Sequence, residues 1–379
     1  MPEIGHVGNL PMPYFDQRPD GQRLVGVVVI PGSSHDLPAE HFENSNRTDE
    51  MVELLREQPF WDDLYVFYPR LASPEQLALV HDKAHVDLVR NCAAAGPGWL
   101  DSDTLVSPGT YDGAAVAAGA VLNAIDAVGM VAYHRLDHVF ALVRPCGHHC
   151  GPRRAQGSGI FNNVAIGARY AQHVYGYRRI AIVDWDVHHG NGTQEVFYDD
   201  PDVFFCSLHE YPGYPGTTGW VDEVGEGAGV GYNLNAPMPA GASDAAYLAA
   251  FDEVLLPILR SFEPELVLVS VGHDSHASDP TGNVDLTTAG IQGMTRRTRD
   301  LAEGASASSV FVLEGGYNQN TLPLLTTSLV AALGEFDVEI DDLYAASAID
   351  ERPEDRERIE AMREAMRPHW PVVAAETGE

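Results

Sequence analysis

The feature that most constrains the fold is a series of short runs that are apolar on both faces. These runs are rich in Val, Ile and Leu and do not alternate with polar residues. A strand of this kind is buried on both sides, which is typical of a parallel sheet covered by helices. The sequence therefore predicts an α/β fold with a mostly parallel central sheet. The predicted strands cover residues 25–30, 139–143, 180–184, 203–206, 266–271 and 309–313.

Helical segments lie between these runs and supply the crossover connections. Residues 114–128, 163–175 and 244–262 have helical spacing, and Ser73 followed by Pro74 is typical of a helix start. No fixed-period repeat and no Ser/Gly-rich linker divides the chain, so we expect a single domain over residues 1–349. The segment 350–379 is highly charged, with a predicted helix over 353–366, and we interpret it as a solvated C-terminal appendage.

The charge and the termini exclude several classes of partner. With 55 acidic and 23 basic residues the formal charge is −32, which repels phosphate backbones and anionic membranes. We therefore expect no direct nucleic-acid partner and no membrane partner. Residues 1–18 lack a basic start followed by an apolar run, and no apolar stretch reaches the roughly 18 to 20 residues of a membrane span. These patterns predict a cytoplasmic protein, and they leave open whether it forms a homo-oligomer.

Unusual polar residues cluster directly after four of the predicted strands. The carboxyl ends of neighbouring parallel strands line the crevice in which ligands bind. Four strand ends would therefore deliver polar groups to one place. The groups are His148 and His149, then Asp184, Asp186, His188 and His189, then Asp274, and finally Tyr317.

Asp186, His188 and Asp274 form a candidate metal site. Asp186 and His188 are two residues apart in extended or loop backbone, so their side chains can offer an oxygen and a nitrogen to one cation. Asp274 leaves another strand end beside Gly272, where a glycine permits close backbone approach. Two carboxylates and one imidazole leave a position open for water, which is the pattern of a catalytic zinc site. Taken alone, the Asp186-x-His188 pair is more typical of a solvated loop; the histidine pair nearby favours the metal site.

His148 and His149 are candidates for proton transfer. A neutral imidazole beside activated water can accept its proton and later donate it to a leaving amine. Such a histidine needs a partner that fixes its tautomer, and Asp184 and Asn191 are the candidates. Tyr317, which follows two glycines, is a candidate donor to a developing oxyanion. Its alternative is a core or rim tyrosine with a satisfied hydroxyl.

Read together, these motifs resemble the histone deacetylase and acetylpolyamine amidohydrolase superfamily. They occur in family order within residues 26–333, and Asn191 makes the chain more similar to the class II enzymes. The resemblance implies an arginase/deacetylase-like three-layer α/β/α fold with long active-site loops. The matching segments are RPCGHHC (144–150), FNNVAIGA (161–168), DWDVHHGNGTQEVFY (184–198), SLH (207–209), YPGTTG (214–219), VSVGHDSHASDPTG (269–282) and LEGGY (313–317).

The resemblance also implies cofactors and roles for individual residues. One zinc ion would be held by Asp186, His188 and Asp274. His149 would be the general base and acid, Tyr317 the oxyanion donor, and His148, paired with Asp184, an electrostatic partner. A potassium ion would be held by Asp184, Asp186, His188, Ser207 and Leu208. Arg47 would line an internal cavity for the acetate product.

Several departures from the family pattern concern the substrate channel. The family's Gly-Phe step reads Gly157-Ser158 here, so one aromatic wall is missing, whereas Tyr214 matches the other wall. Thr281 is neither the bulky apolar residue typical of protein deacetylases nor the acidic gatekeeper of polyamine-selective relatives. His273 replaces the usual Phe, and we expect it at the rim of the channel rather than as a group that tunes the metal ligands.

These observations lead to one hypothesis with alternatives. We expect a zinc-dependent hydrolase that removes an N-acyl group, in the first instance acetyl, from an acylated lysine or a small amine. An acetylpolyamine or other small-molecule deacetylase, a catalytically silent acyl-binding module and a dinuclear manganese hydrolase are the alternatives. Tyr317 argues against the silent module, and a single set of metal ligands argues against the dinuclear site. Cys146 and Cys150 bracket the histidine pair, and we interpret them as reduced, buried, inert thiols rather than as a redox switch.

Overall fold

The computed structural model describes residues 23–30, 35–129, 135–344 and 350–373. The expectation about residues 1–18 lies outside the described part of the chain. The strands are β1 (Val25–Val29), β2 (Tyr65–Phe67), β3 (Gly98–Trp99), β4 (Leu105–Val106), β5 (His138–Leu142), β6 (Ile180–Asp184), β7 (Val203–Glu210), β8 (Asn233–Met238), β9 (Leu266–Val271) and β10 (Ser308–Leu313). The helices are α1 (Asn46–Arg56), α2 (Pro74–Leu77), α3 (Lys83–Ala95), α4 (Thr110–Gly129), α5 (Asn163–Tyr175), α6 (Asn191–Phe197), α7 (Asp244–Ala250), α8 (Leu256–Phe262), α9 (Thr288–Gly304), α10 (Leu322–Gly334) and α11 (Pro353–Met366).

A central sheet organises the described residues. Its strand order is β2-β1-β5-β10-β9-β6-β7-β8, and every neighbouring pair in it is parallel. The five residues of β1 and of β5, and the six of β9 and of β10, are all buried, as expected for strands covered on both faces. Helices α4 and α5 contact each other and the sheet, and α9 and α10 form a second contacting pair. The predicted α/β fold is confirmed.

Local sequence explains where several helices begin. Ser73 accepts the backbone N–H of Gln76 and Pro74 occupies the first turn of α2, as predicted. Asn162 caps α5 by accepting the backbone N–H of Ala165. The predicted helix over 244–262 is present, but a π-helical turn at Phe251–Leu255 separates α7 from α8. Helix α4 is long and apolar enough to cross a membrane, yet 89% of its most apolar window is buried inside the protein, as in a core helix.

The interpretation of 350–379 as a solvated appendage is wrong for its helical part. Helix α11 has the predicted bounds, but one of its faces packs on β8 and α7. The spacing of Ile359, Met362 and Met366, which are at most 1% exposed, puts their side chains on that face. Beyond the helix, Trp370 donates from Nε1 to the carbonyl of Gly231 at 2.7 Å. The segment therefore covers the edge of the sheet.

Candidate active site

The predicted site residues converge because their strands are neighbours. Strands β5, β10, β9 and β6 lie side by side in the sheet and point the same way. The loops after their carboxyl ends carry the histidine pair, Tyr317, Asp274 and the segment 184–188, respectively. Their side chains therefore meet at one edge of the sheet, as the sequence predicts.

Asp186, His188 and Asp274 form a compact group of metal-ligating atoms. One ligand atom from each residue lies within 4.8 Å of the others. Nδ1 of His188 is 2.9 Å from Oδ1 of Asp186 and 3.3 Å from Oδ2 of Asp274. The backbone N–H of Gly315 donates to Oδ2 of Asp186 at 2.7 Å, and that of Val187 donates to Oδ1 of Asp274 at 3.0 Å. These backbone donors fix both carboxylates.

The group fits a metal ion on two structural grounds. Oδ2 of Asp274 is buried and accepts no hydrogen bond from the described residues, although a buried carboxylate oxygen normally has a partner. Glycines lie under the carboxylates, where a Cβ at Gly315 would come within 1.9 Å of Asp274 and one at Gly272 within 2.4 Å of the same side chain. Two carboxylates and one imidazole are three ligands that suit a divalent metal ion and leave a coordination position open for water.

The pKa values of the two carboxylates in this group shift in opposite directions. Burial and the charge of Asp186 raise the pKa of Asp274 to about 7. Burial also disfavours ionised Asp186, but the neighbouring histidines, His148 first among them, outweigh it and hold the pKa of Asp186 well below its usual range. Two carboxylates that share a buried site repel each other, so a cation between them offsets that repulsion.

His148 and His149 have different partners, and their pKa values shift in opposite directions. Their ring centroids are 4.0 Å apart, and Nδ1 of His148 lies 2.9 Å from Oδ2 of Asp184. Burial lowers the pKa of His148, but Asp184 and Asp186 outweigh it and raise that pKa to about 10. Burial, followed by the charges of His148 and His188, lowers the pKa of His149 well below its usual value. The pKa values of the two rings therefore shift in opposite directions, upward for His148 and downward for His149.

Asn191 is the partner of His149, at the start of α6. Its Oδ1 lies 2.9 Å from Nδ1 of His149, and its Nδ2 donates to Oε1 of Gln156 at 2.9 Å. The second nitrogen of His149, Nε2, is left for other contacts. Asp184 therefore pairs with His148 and Asn191 with His149. Both were candidate partners from the sequence.

Tyr317 is held by contacts to its backbone and its ring. Its N–H donates to Oδ2 of Asp279 at 2.6 Å. The guanidinium carbon of Arg47 lies 4.7 Å from its ring centroid, and Phe42 packs edge-on at 5.0 Å. Arg47 is buried and also donates to the carbonyls of Gly316 at 2.7 Å and Glu314 at 2.8 Å. Arg47 thus fixes the glycine turn before Tyr317; its predicted contact with a product cavity stays a prediction.

Gly157 and Tyr214 lie against His149. A Cβ at Gly157, whose φ is +61°, would come within 2.4 Å of the His149 ring, so only glycine fits there. The Tyr214 ring is edge-on to His149 at 4.9 Å and to His188 at 5.8 Å. Its hydroxyl donates to Oδ2 of Asp103 at 2.7 Å. Tyr214 therefore stands over two of the site histidines.

Three residues predicted to bind substrate differ in exposure. Thr281 is exposed, and its hydroxyl donates to Oδ1 of Asp279 at 2.7 Å. Ser158 is only 2% exposed, and its hydroxyl donates to the backbone carbonyl of Asp103 at 3.4 Å. The expectation that His273 lies at the rim is wrong: the residue is 1% exposed, and its Nε2 lies 3.1 Å from the hydroxyl of Thr326 on α10.

Glu314 is a buried residue that sequence reasoning passed over. Its Oε2 accepts the backbone N–H groups of Gly147 at 2.7 Å and His148 at 3.1 Å, and its Oε1 accepts the hydroxyl of Ser270 at 3.0 Å. Burial raises its pKa to about 7. Its place inside the LEGGY segment was the available signal. Asp103, Asp279 and Gln156 were also missed, because each acts through another residue and carries no motif of its own.

The cysteines beside the histidine pair are unreactive, and one large cavity lies apart from the site. Cys146 and Cys150 are buried free thiols whose pKa is raised by burial, as expected for inert groups. A cavity of about 690 Å³ at the opposite edge of the sheet is lined by residues that precede β5, β6, β9 and β10. None of the predicted site residues lines it.

Sequence comparisons match this chain to proteins of one family. A family model described as the histone deacetylase domain matches residues 41–333. A probable deacetylase of Archaeoglobus fulgidus is 37% identical over 308 residues, which cover 80% of this chain and 84% of that protein. The histone deacetylase-like amidohydrolase of Pseudomonas aeruginosa is 37% identical over 263 residues, covering 69% and 68%. The chloroplastic histone deacetylase 14 of Arabidopsis thaliana is 40% identical over 276 residues; these are 70% of this chain and 65%, less than two thirds, of that protein.

The fold is also similar to a solved structure. The crystal structure of the HDA15 HD domain superposes with a TM-score of 0.83 at 31% sequence identity, covering 93% of this chain and 96% of that one. The family model, over residues 41–333, includes every loop that carries the predicted site residues.

Proposed function

Because the chain belongs to the histone deacetylase family, we propose that it is a zinc-dependent amidohydrolase that removes an acyl group, in the first instance acetyl, from a lysine side chain or a small amine. Family membership supports a deacetylase or amidohydrolase activity. The observation that carries the proposal is the convergence of Asp186, His188 and Asp274 within 4.8 Å beside two histidines, one paired with Asp184 and the other with Asn191.

Asp186, His188 and Asp274 are the residues that would hold the zinc ion. When bound, zinc supplies Lewis-acid activation of water and of a carbonyl group. The backbone donors to Asp186 and Asp274 orient the carboxylates, as groups around a metal site commonly do. We also propose a potassium ion at Asp184, Asp186, His188, Ser207 and Leu208, since Asp184 and Ser207 are register neighbours on β6 and β7.

His149 would move the proton. Its Nδ1 lies against Asn191, so Nε2 would accept a proton from water and pass it to the leaving amine, a role worth roughly 10²- to 10⁴-fold in rate. His148, paired with Asp184 at 2.9 Å, would supply positive charge beside the reacting carbonyl. We assign proton transfer to His149 and the positive charge to His148 because their hydrogen-bond partners differ.

Tyr317 would donate its hydroxyl to the carbonyl oxygen that gains negative charge as the amide is attacked. Arg47 and Asp279 hold its loop from two sides. The acyl-bearing chain would pass between Gly157 and Tyr214, with Thr281 exposed near the opening. Ser158 stands where the family has an aromatic wall, which favours a wide channel that accepts more than one amine.

Release of free acetate tests the proposal. The purified protein would be incubated with an acetyl-lysine peptide and with acetylated polyamines, with and without a zinc chelator, and its metal content measured. We expect acetate release that chelation abolishes and added zinc restores, at about one zinc per chain. Turnover of the polyamines alone would place the enzyme with the small-molecule deacetylases. Zinc-loaded protein that cleaves no amide, or that holds two manganese ions, would contradict the proposal.

A further inference from the structure

The orientation of the Asn191 side-chain amide matters for His149. The oxygen and the NH₂ group of the amide are nearly the same shape, but the oxygen accepts a hydrogen bond and the NH₂ group donates one. With Oδ1 toward His149, the imidazole carries its proton on Nδ1 and leaves Nε2 free to accept one. With the amide reversed, Nδ1 would accept and the proton would move to Nε2. The orientation of Asn191 therefore decides whether His149 can act as a base.

Gln156 faces the other end of this amide. Its Oε1 accepts from Nδ2 of Asn191 at 2.9 Å. If Gln156 were reversed, it would present its NH₂ group, and Asn191 would reverse with it. Something must therefore fix Gln156 in turn.

Arg154 supplies that constraint. Its Nε donates to Oε1 of Gln156 at 3.4 Å, and its guanidinium pairs with Glu195 on α6. A guanidinium has donors and no acceptor, so it selects the oxygen of Gln156 rather than the nitrogen. Arg154 thus fixes which end of the Gln156 amide faces Asn191. Gln156 in turn fixes which end of the Asn191 amide faces His149.

We propose that Gln156 is a positioning residue, which sets the tautomer of His149 by fixing the amide of Asn191, with Arg154 fixing Gln156 in turn. The role rests on the proposed function only for its consequence in catalysis, because the tautomer exists without substrate. It also accounts for an amide at position 191. A carboxylate there would place two acceptors, Oδ and Oε1 of Gln156, against each other.

Two variants of Gln156 test the inference. Gln156→Leu removes the acceptor, whereas Gln156→Glu keeps acceptor oxygens toward both Asn191 and Arg154. Gln172→Leu is the matched control, because Gln172 also accepts from an arginine, Arg169 at 2.9 Å, on α5 away from the site. Each variant is prepared as the zinc-loaded protein, and zinc content verifies that the site is intact.

The decisive measurement is the tautomer of His149 by ¹⁵N NMR of the imidazole nitrogens, assigned by loss of the signals in His149→Ala. We expect Nδ1–H in the starting protein, in Gln156→Glu and in Gln172→Leu, and a mixture or Nε2–H in Gln156→Leu. In deacetylation, Gln156→Leu should lower kcat about tenfold with KM within about twofold, and Gln156→Glu should restore most of kcat.

Two results would overturn the inference: an unchanged Nδ1–H tautomer in Gln156→Leu, or a loss in Gln156→Glu as large as in the leucine variant. If no protein in the set hydrolyses an amide, the proposed function fails. The NMR comparison then still decides the role of Gln156.

Discussion

The carboxylate of Asp279 accepts the backbone N–H of Tyr317 at 2.6 Å, and its other oxygen accepts the hydroxyl of Thr281 at 2.7 Å. Asp279 thus ties the loop that carries the phenol to the exposed loop at Thr281. Replacing Asp279 by Ala should lower kcat by about ten- to a hundredfold, because a displaced catalytic group loses its alignment. The double variant with Tyr317→Phe should be no slower than Tyr317→Phe alone. Additive losses in steady-state kinetics would show that Asp279 acts elsewhere.

Tyr317→Phe should lower turnover by roughly 10²- to 10³-fold while zinc stays bound, because it removes a donor to the developing charge and no metal ligand. The checks are kcat with an acetylated substrate and zinc content by elemental analysis. Tyr232→Phe, on a tyrosine outside the site, is the control. Full activity in the Phe variant would remove the phenol from the mechanism.

Asp274→Asn should abolish zinc binding, because it replaces an anionic carboxylate of the metal group, whose Oδ2 accepts no hydrogen bond from the described residues, by a neutral amide. A ligand at about a hundredfold above its Kd stabilises the folded protein by roughly 2.7 kcal/mol, so zinc should raise Tm in the starting protein and not in the variant. Asp222→Asn, at an exposed aspartate, should keep the zinc-dependent rise. A Tm that responds to zinc equally in all three would locate the ion elsewhere.

We expect the protein to lose stability in mild acid because of His81. It is buried, and burial, followed by the charge of His85, lowers its pKa to about 3. The unfolded chain, with an ordinary histidine pKa near 6.5, then binds more protons, so the free energy of unfolding falls as the pH drops below about 6.5 and stops falling near pH 3. Between pH 7 and pH 5 one such group costs about 2 kcal/mol.

His81→Gln should therefore reduce the pH dependence by about that amount in urea unfolding at the two pH values. Glutamine keeps an acceptor for the backbone N–H of Asn162, which reaches Nε2 of His81 at 2.9 Å. His173→Gln, on the exposed side of α5, is the matched control. An unchanged slope in His81→Gln would show that other groups set the acid sensitivity.

Ile359→Ala should destabilise the protein by about 2–5 kcal/mol, because it empties a fully buried site on α11. Glu357→Ala, on the exposed side of the same helix, should change the free energy of unfolding by less than about 0.5 kcal/mol. Denaturant unfolding distinguishes the two. Equal, small effects would mean that α11 contributes little to the fold in solution.

The sequence predicted the central strands because each carries an apolar run that only a covered strand explains. Strand β8 was missed because Asn233, Asn235 and Pro237 interrupt that pattern, and a proline is accepted there because β8 lies at the sheet edge. Helix α11 was predicted with the right bounds and the wrong environment. Its charged residues outnumber its three buried apolar side chains, and composition alone does not reveal which face meets the sheet.

The site residues were predictable where a residue type carries its own chemistry. Asp186, His188 and Asp274 belong to that class, and the structure brings them together. His273 was predicted at the rim of the channel because an imidazole next to a candidate metal ligand suggests a polar, accessible position. Its ring instead points toward Thr326. Gln156 and Asp279 act only through contacts with distant segments, which no local pattern encodes.

The glycines beneath the metal group restrict how this enzyme can be re-engineered. Gly272 and Gly315 leave no volume for any other side chain under Asp186 and Asp274. A mutant library at those two positions should yield almost no functional clones, whatever the selection. Diversity aimed at new substrates belongs instead at Thr281 and around Tyr214, which are solvent-accessible, so that a new amine can be selected without any change at these two glycines.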